Sequence, residues 1–335
     1  MAKADRTNSE IDLNERLPEE RLAARLVLKR KLVPPVPIRE LLLQYAKIEY
    51  DRLPAECDAI LLRRQTKNKR PLVIVDETKP ETRVRFTLAH ELGHIVIPWH
   101  IGQVGCHTSY SEDGQSLYYV TEAEANRFAA ELLLPTKWMK QVISACDSFD
   151  DILDTIQSAN VSVVAAAISL CKALPSGYVF VAVDSKGKIV ASGKSAKTVA
   201  PAMDHQRFDP SYYDGTGAKL TKLVASRTTV HWWEFPRAEE NDFSDDLRTS
   251  REILTTILEE SLKPSDRQSV LHSINGIIGG ANSSHKPSTA IQLIDLVRQR
   301  FGSRGSLVLA CAKHPEFEVF IHKRAEEIMA KRDGG

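Results

Sequence analysis

Three features are scarce in this sequence, and each absence excludes a class of protein. The 335-residue chain contains no run of about 18 apolar residues, so no segment is predicted to span a membrane. The amino-terminal segment is charged and has no apolar centre, which argues against a secretory signal. Only five cysteines occur, and none forms a Cys-x-x-Cys pair, so we predict neither a disulfide framework nor a zinc ribbon. We expect a cytoplasmic protein.

An excess of either charge is also missing. The 45 Lys and Arg residues are balanced by 44 Asp and Glu residues, which leaves a formal net charge of +1. A protein that binds nucleic acid or an anionic membrane through its overall charge carries a clear positive excess. We therefore expect neither nucleic acid nor a membrane among the direct partners of this chain.

The pattern of apolar residues divides the chain into three parts. Residues 1–16 are polar and are expected to be flexible. Helical spacing then alternates with a few short β-rich runs and continues to residue 175, which predicts one domain over 17–175. The segment LPSGY interrupts this pattern, and strand-like periodicity starts again at Tyr178 in a predicted hairpin that turns at Asp184 to Gly187. Residues 176–335 are therefore predicted to form a second, mixed α/β domain.

The most specific pattern lies in the segment RFTLAHELGHIVIPWH at residues 85–100. In a helix, His90 and His94 project from one face, one turn apart, and can bind one Zn²⁺. Glu91 can take the proton of an attacking water and so act as the catalytic base. Gly93 leaves room for a close neighbour. The pattern predicts a zinc peptidase, although Mn²⁺ or Fe²⁺ can replace zinc at nitrogen and oxygen ligands.

A catalytic zinc requires a third protein ligand, and the sequence offers three candidates. His100 has the outer spacing of a metzincin, but Ile97 stands where that motif makes its glycine turn. Glu122 and Glu124 lie on the next predicted helix, which is expected to begin with Thr121 as its N-cap. Glu122 shares a face with small neutral residues, whereas Glu124 lies in a mixed-charge stripe typical of a solvated surface. The helix faces favour Glu122 and leave His100 and Glu124 open.

Two further roles are considered near these ligands. Asn126 lies one turn after Glu122 and could either hydrogen-bond that carboxylate or only buttress its own helix, and the sequence does not decide between these roles. The polar segment 101–120 is interpreted as a loop, and it contains four residues that could stabilise an oxyanion, none of which is singled out: His107, Tyr110, Tyr118 and Tyr119.

Two motifs in the first predicted domain resemble the ImmA/IrrE family of metallo-endopeptidases. The segment RFTLAHELGHIV is followed after about thirty residues by EAEANRFAAELLLP, and the resemblance covers roughly residues 35–175. One small departure is Leu134, since many members carry Met before the proline. The resemblance implies an α+β fold, in which a small β-sheet packs on a helical zincin-like peptidase core. It also implies His90, His94 and Glu122 as zinc ligands and Glu91 as the catalytic base.

The same resemblance implies a substrate class. Members of the family cut or inactivate helix-turn-helix transcriptional repressors in bacteria, which releases stress-response or mobile-element genes. Some members carry a sensor-like domain after the peptidase, so residues 176–335 would have a sensory or regulatory role by analogy.

The alternative is a DNA-binding or metal-sensing regulator with little or no proteolytic activity. The segment NVSVVAAAISLCKAL at residues 160–174 is similar to a helix-turn-helix recognition segment. However, its single basic residue, Lys172, lies at its far end, and a helix that reads DNA normally brings Arg or Lys to phosphates and bases. We therefore interpret this segment as a packing helix.

Overall fold

The computed structural model describes most of the chain, and in the helix that begins at Gly114 it describes side chains from Tyr119 onward. The predicted flexible segment 1–16 lies outside the described residues except for Arg16. The described residues are 16–54, 57–63, 70–101, 114–201, 203, 207–214, 216–225, 227–238, 243, 245–301 and 304–333.

The chain divides into two compact units, Met1–Ala173 and Leu174–Gly335. The chain combines helices with two small sheets, which confirms the predicted α+β class. The predicted domain bounds, 17–175 and 176–335, stay a prediction. No helix in the described ranges has the length and apolarity needed to cross a membrane. Four of the cysteines are free, and Cys106 lies outside the described residues.

The first unit builds a three-stranded sheet and then a series of helices. Its elements are α1 (Pro18–Arg30), α2 (Ile38–Leu42), β1 (Lys47–Asp51), β2 (Ala59–Leu62), β3 (Leu72–Asp76), α3 (Glu81–Val96), α4 (Gly114–Leu133), α5 (Thr136–Ala145), α6 (Phe149–Gln157) and α7 (Val163–Ala173). The sheet has the order β1-β3-β2, with β3 parallel to β1 and antiparallel to β2. Val73 and Val75 of the central strand are fully buried, as the apolar run of this segment predicts.

Helices α3 and α4 pack closely because of a glycine at their crossing. A Cβ atom on Gly93 would lie 3.0 Å from Cδ1 of Phe128 and 3.4 Å from the Cα atom of Ala125. Both of these α4 residues are fully buried. The predicted role of Gly93 in close approach is confirmed, and this crossing brings the two motif helices together.

The start of α4 differs from the prediction. The helix begins at Gly114, so Thr121 lies inside it rather than at its N-cap, and the expected loop over 101–120 is shorter. An N-cap preference is worth only about 1 kcal/mol, and residues such as Gln115 and Leu117 are good helix formers. The N-cap signal at Thr121 is therefore outweighed by continuation of the helix.

The second unit combines a four-stranded antiparallel sheet with a helical bundle. Its elements are β4 (Tyr178–Asp184), β5 (Ile189–Lys194), β6 (Lys219–Ala225), β7 (Thr228–Glu234), α8 (Ser250–Ser261), α9 (Pro264–His285), α10 (Ala290–Phe301), α11 (Ser306–Ala312) and α12 (Phe317–Asp333). The sheet has the order β5-β4-β7-β6. Gly187 has φ of +76° in the predicted hairpin turn between β4 and β5. Trp232 and Trp233 of β7 are buried in the packing of this unit.

Candidate metal centre

The crossing of α3 and α4 brings together three side chains that sequence spacing singled out. The Nε2 atoms of His90 and His94 lie 3.0 Å apart. The Glu122 carboxylate places one oxygen 3.2 Å from Nε2 of His90 and the other 3.3 Å from Nε2 of His94. Within the described residues, these side chains form a group whose potential ligand atoms all lie within 4.8 Å of one another.

The separations of these atoms suit a tetrahedral metal ion. Ligand atoms at 2.0–2.1 Å from zinc lie about 3.3 Å apart when the geometry is tetrahedral. The observed distances of 3.0–3.3 Å are close to this value. Two imidazoles and one carboxylate are donors that zinc accepts, as do manganese and iron. The cluster could therefore hold a divalent metal ion with three protein ligands.

The imidazole of His90 is oriented by an amide. Its Nδ1 atom lies 3.0 Å from Oδ1 of Asn126, which can only accept, so Nδ1–H of His90 donates. The neutral ring then presents the lone pair of Nε2 to the cluster. Of the two roles considered for Asn126, the described contact is neither a hydrogen bond to Glu122 nor simple buttressing of its own helix. Asn126 lies one helical turn from Glu122, but the packing of α4 on α3 places its amide against His90.

The imidazole of His94 is oriented by a longer chain of side chains. Nδ1 of His94 lies 2.9 Å from Nδ1 of His100, whose Nε2 atom lies 2.8 Å from Oε2 of Glu124. Trp99 donates its indole N–H to the same carboxylate oxygen at 2.7 Å. Because the carboxylate accepts from Nε2–H of His100, Nδ1 of a neutral His100 accepts from Nδ1–H of His94.

Both histidines thus turn an Nε2 lone pair toward the same point, where the Glu122 carboxylate also lies. Three electron-rich atoms about 3 Å apart repel one another unless a proton or a metal ion lies among them. As in metal-binding histidines, the second ring nitrogen of His90 and of His94 bonds an outer partner, here an amide and an imidazole. The proton arrangement therefore fits a metal centre.

The two alternatives for the third ligand lie behind His94 rather than in the cluster. His100 is 2% exposed and contacts His94 through Nδ1, and Glu124 in turn contacts His100. Sequence reasoning missed these outer roles. The sequence did contain one signal for them. It offered three candidates for a single ligand position, so two of the three were free for other roles near the metal.

The prediction that Glu124 lies on a solvated, mixed-charge stripe of α4 is wrong. Arg127 of that stripe pairs with Glu19 of α1, which is 2% exposed. Glu131, also buried, accepts a hydrogen bond from the Thr136 hydroxyl at 2.6 Å. Helix α1 packs over this face of α4. Helical periodicity cannot predict such a contact, because a polar face that another helix covers has the same sequence pattern as a solvated one.

The two carboxylates near the histidines differ in acidity. Burial raises the pKa of Glu91 to about 7, with a smaller contribution from the charge of Glu122 and against the effect of His90. Burial acts in the same direction on Glu122, but hydrogen bonds and charges of His90 and His94 outweigh it and lower its pKa to about 2. One carboxyl group is thus suited to exchange protons near neutral pH, and the other to remain ionised.

A groove of about 420 Å³ runs beside the cluster within the first unit. Phe86 of α3, Ala130 and Leu133 of α4 and Ile168 of α7 contribute to its mostly apolar lining. Asn126, the partner of His90, also lines it. The sequence offered no signal for this groove, because its walls come from three helices that are far apart in the chain.

The candidate oxyanion stabilisers are only partly described. His107 and Tyr110 lie outside the described residues, as does the side chain of Tyr118. Tyr119 lies on α4 and is 62% exposed. The structure singles out none of them.

Comparison with known proteins gives a family match and similar solved structures. Residues 43–170 match the model of the M78 peptidase family, described as an IrrE N-terminal-like domain. A transcriptional regulator from Mycobacterium tuberculosis is a solved structure similar to this chain, with a TM-score of 0.41 and 14% sequence identity. The similarity covers 67% of this chain and 78% of the regulator. No curated protein matches the chain at a significant level.

Proposed function

We propose that the protein is a zinc-dependent endopeptidase, because residues 43–170 match the model of the IrrE N-terminal-like peptidase family. The observation that carries the proposal is the convergence of His90, His94 and Glu122, with an outer partner holding each imidazole. In this proposal those three residues are the metal ligands and Glu91 is the catalytic base. Zinc is the proposed metal because two imidazoles and a carboxylate are its usual catalytic ligands.

His90, His94 and Glu122 would hold the zinc ion, which would supply Lewis acidity at this site. Glu91 takes the proton of the attacking water and later gives it to the departing amine. Its pKa of about 7 allows both transfers near neutral pH. Glu122 remains ionised because its pKa is about 2, and His94 is held in one orientation by His100.

The proposed substrate is a helix-turn-helix transcriptional repressor, whose cleavage would release stress-response or mobile-element genes. This proposal rests on the resemblance of the two motifs to the ImmA/IrrE family. The apolar groove beside His90 supports binding of an extended peptide, because it can receive an apolar side chain next to the scissile bond. Such a substrate would place the protein in the cytoplasm.

The DNA-binding alternative finds little support in the described part of the chain. In α7, the segment similar to a recognition helix, Ala166, Ala167 and Leu170 are buried in the first unit. Lys172 is its one basic residue. A recognition helix that binds DNA needs an exposed face with several basic or amide side chains.

Incubation of the zinc-loaded chain with a repressor encoded beside its gene tests the proposed function. We expect fragments with one defined new terminus, detected by mass spectrometry, and no fragments when EDTA is present. An intact repressor, together with salt-dependent binding of duplex DNA by this chain, would instead support the DNA-binding alternative.

His100→Ala and Glu124→Gln are expected to weaken zinc affinity about 10- to 100-fold, because each removes a group that orients His94. Competition with a chromophoric chelator measures the affinity. His272→Ala, at an exposed histidine of α9, is the control and should leave the affinity unchanged. Wild-type affinity in both folded variants would show that the hydrogen bonds that link His94 to His100 and Glu124 have no role in metal binding.

A fragment of residues 1–175 is expected to fold and to bind zinc without the second unit. The residues of the candidate metal centre all lie in the first compact unit, which has its own buried core. Circular dichroism and zinc analysis of the fragment check this. An insoluble or metal-free fragment would show that residues 176–335 complete the catalytic domain.

A further inference from the structure

The second unit contains a cleft that has no part in the proposed peptidase reaction. Its volume is about 900 Å³. Three elements form its walls: the end of β5 with the loop 195–199, the carboxyl end of α9, and one face of α10. The residues from α10 recur with helical spacing, at positions 292, 295, 296, 299 and 300. One side of this helix is thus turned to the cleft.

Positive charge is concentrated in this cleft. Among the described residues that line it, four are cationic, Lys194, Lys197, Lys286 and Arg300, and one is a carboxylate, Asp295. The Asp295 carboxylate accepts a hydrogen bond of 2.6 Å from the backbone N–H of Ala238. In a chain whose net charge is only +1, such a local excess creates an attractive potential for anions.

In the part of the chain that the structure describes, no carboxylate forms an ion pair with these four cations. The lysine of β5, Lys194, donates to the backbone carbonyl of Ala200 at 3.4 Å. The guanidinium of Arg300 lies 3.4 Å from Nε2 of His285, another residue of the lining. Over the ranges that the structure describes, the ion pairs involve none of these four residues. Their charges are therefore available to a ligand.

Two of these lysines occupy backbone conformations that favour glycine. Lys197 has φ of +64° and Lys286 has φ of +44°, both in the left-handed region. A residue with a Cβ atom is disfavoured there relative to glycine. Lys286 ends α9, where a cation also interacts favourably with the helix dipole. Lys197 is in a loop, so a helix end does not account for it.

The loop that carries Lys197 is held by buried polar contacts. The backbone N–H of Val199 donates to Oε1 of Gln299, a buried residue of α10, at 2.9 Å. The hydroxyl of Thr198 accepts from the backbone N–H of Gly177 at 2.8 Å, and it also contacts the hydroxyl of Ser195 at 2.8 Å. The cationic side chain thus projects from a preorganised loop, which lowers the entropic cost of binding.

We propose that this cleft binds a small molecule that carries several phosphate groups. The volume lies in the range of small-molecule pockets, roughly 300–1,000 Å³, and the site is concave, unlike the surface that a DNA duplex requires. Four cations on three walls suit a chain of phosphates, because a single phosphate would leave most of them unpaired. Binding there would make the second unit a ligand-responsive part of the protein.

The test uses calorimetric titration of the full chain with sodium tripolyphosphate and, separately, with ATP at low ionic strength. Lys197→Gly and Lys286→Gly remove charge where glycine fits the backbone, so they should fold with unchanged or raised Tm. We expect each to weaken binding at least about five-fold and the double variant at least about 25-fold.

Lys31→Gly is the matched control. Lys31 also has a left-handed backbone, with φ of +52°, but it ends α1 in the first unit. It should leave both affinities unchanged, and any removal of metal by the polyphosphate should be equal in all variants. Tighter binding of ATP would indicate a nucleotide, and equal binding would indicate recognition of the phosphate chain alone.

Three results would overturn the proposal. One is the absence of saturable binding of both probes by the wild-type chain. Another is equal weakening by Lys31→Gly and the cleft variants. The third is binding of duplex DNA that depends on Lys197 and Lys286 and resists competition by tripolyphosphate, since this would assign the cleft to nucleic acid.

Discussion

Glu91→Gln is expected to lower the rate of proteolysis about 10²- to 10⁴-fold and to leave the metal content unchanged. The amide keeps the shape of the side chain but cannot take a proton from water. Glu91 is not among the three clustered side chains, so its loss should not disturb metal binding. Initial cleavage rates, measured with elemental analysis of the same protein samples, check both parts of the prediction.

Asp154→Asn serves as the control for Glu91→Gln. It removes a carboxylate from the exposed face of α6 in the same unit and should leave both rate and metal content at wild-type values. If Glu91→Gln retained more than a tenth of the wild-type rate, another group would have to act as the base. If it lost the metal, Glu91 would have to be counted among the ligands.

The wild-type chain is expected to hold about one zinc ion, and His90→Ala, His94→Ala and Glu122→Ala should each lose most of it. Structural zinc sites with four ligands have binding free energies of about 10–16 kcal/mol, so one ligand accounts for roughly 10²- to 10³-fold in affinity. Inductively coupled plasma mass spectrometry after dialysis measures the content. Circular dichroism shows whether each variant is folded, which matters because His94 is fully buried.

Glu124→Ala is the informative comparison for Glu122→Ala. The first removes a carboxylate two positions along the same helix, which contacts His100 instead of the cluster. It should therefore cost less affinity than Glu122→Ala. Full metal retention in both histidine variants would contradict the assignment of the centre. A larger loss in Glu124→Ala would show that the wrong carboxylate was assigned.

Elements with strong local patterns were predicted correctly. The apolar runs before the motif form β1 to β3, and the hairpin of β4 and β5 turns near Gly187 as predicted. These patterns are the alternation of apolar residues, helical spacing and turn residues. Each involves only a few neighbouring positions, so it can be recognised without knowledge of the rest of the chain.

Helix α9 shows where local patterns fail. It spans Pro264–His285 and was not predicted, because glycine, serine and asparagine lower its helix propensity. Ile274, Ile277 and Ile278 bury its apolar face in the core of the second unit, and this burial outweighs propensity. A Cβ atom on Gly280 would lie 2.6 Å from Nη1 of Arg300, so that glycine leaves room for the end of the arginine side chain. These contacts join segments that are distant in sequence.

Part of the candidate metal centre could likewise be predicted from local sequence, and part depended on packing between helices. Spacing along one helix placed His90 and His94 on a common face, because residues four apart in a helix always lie one turn apart. The position of Glu122 at 3.2–3.3 Å from both, and of Asn126 and His100 behind them, depended on the packing of α4 against α3. Helical periodicity reports which residues share a face of one helix. The partner of that face is decided by side-chain packing between helices, which only the folded chain contains.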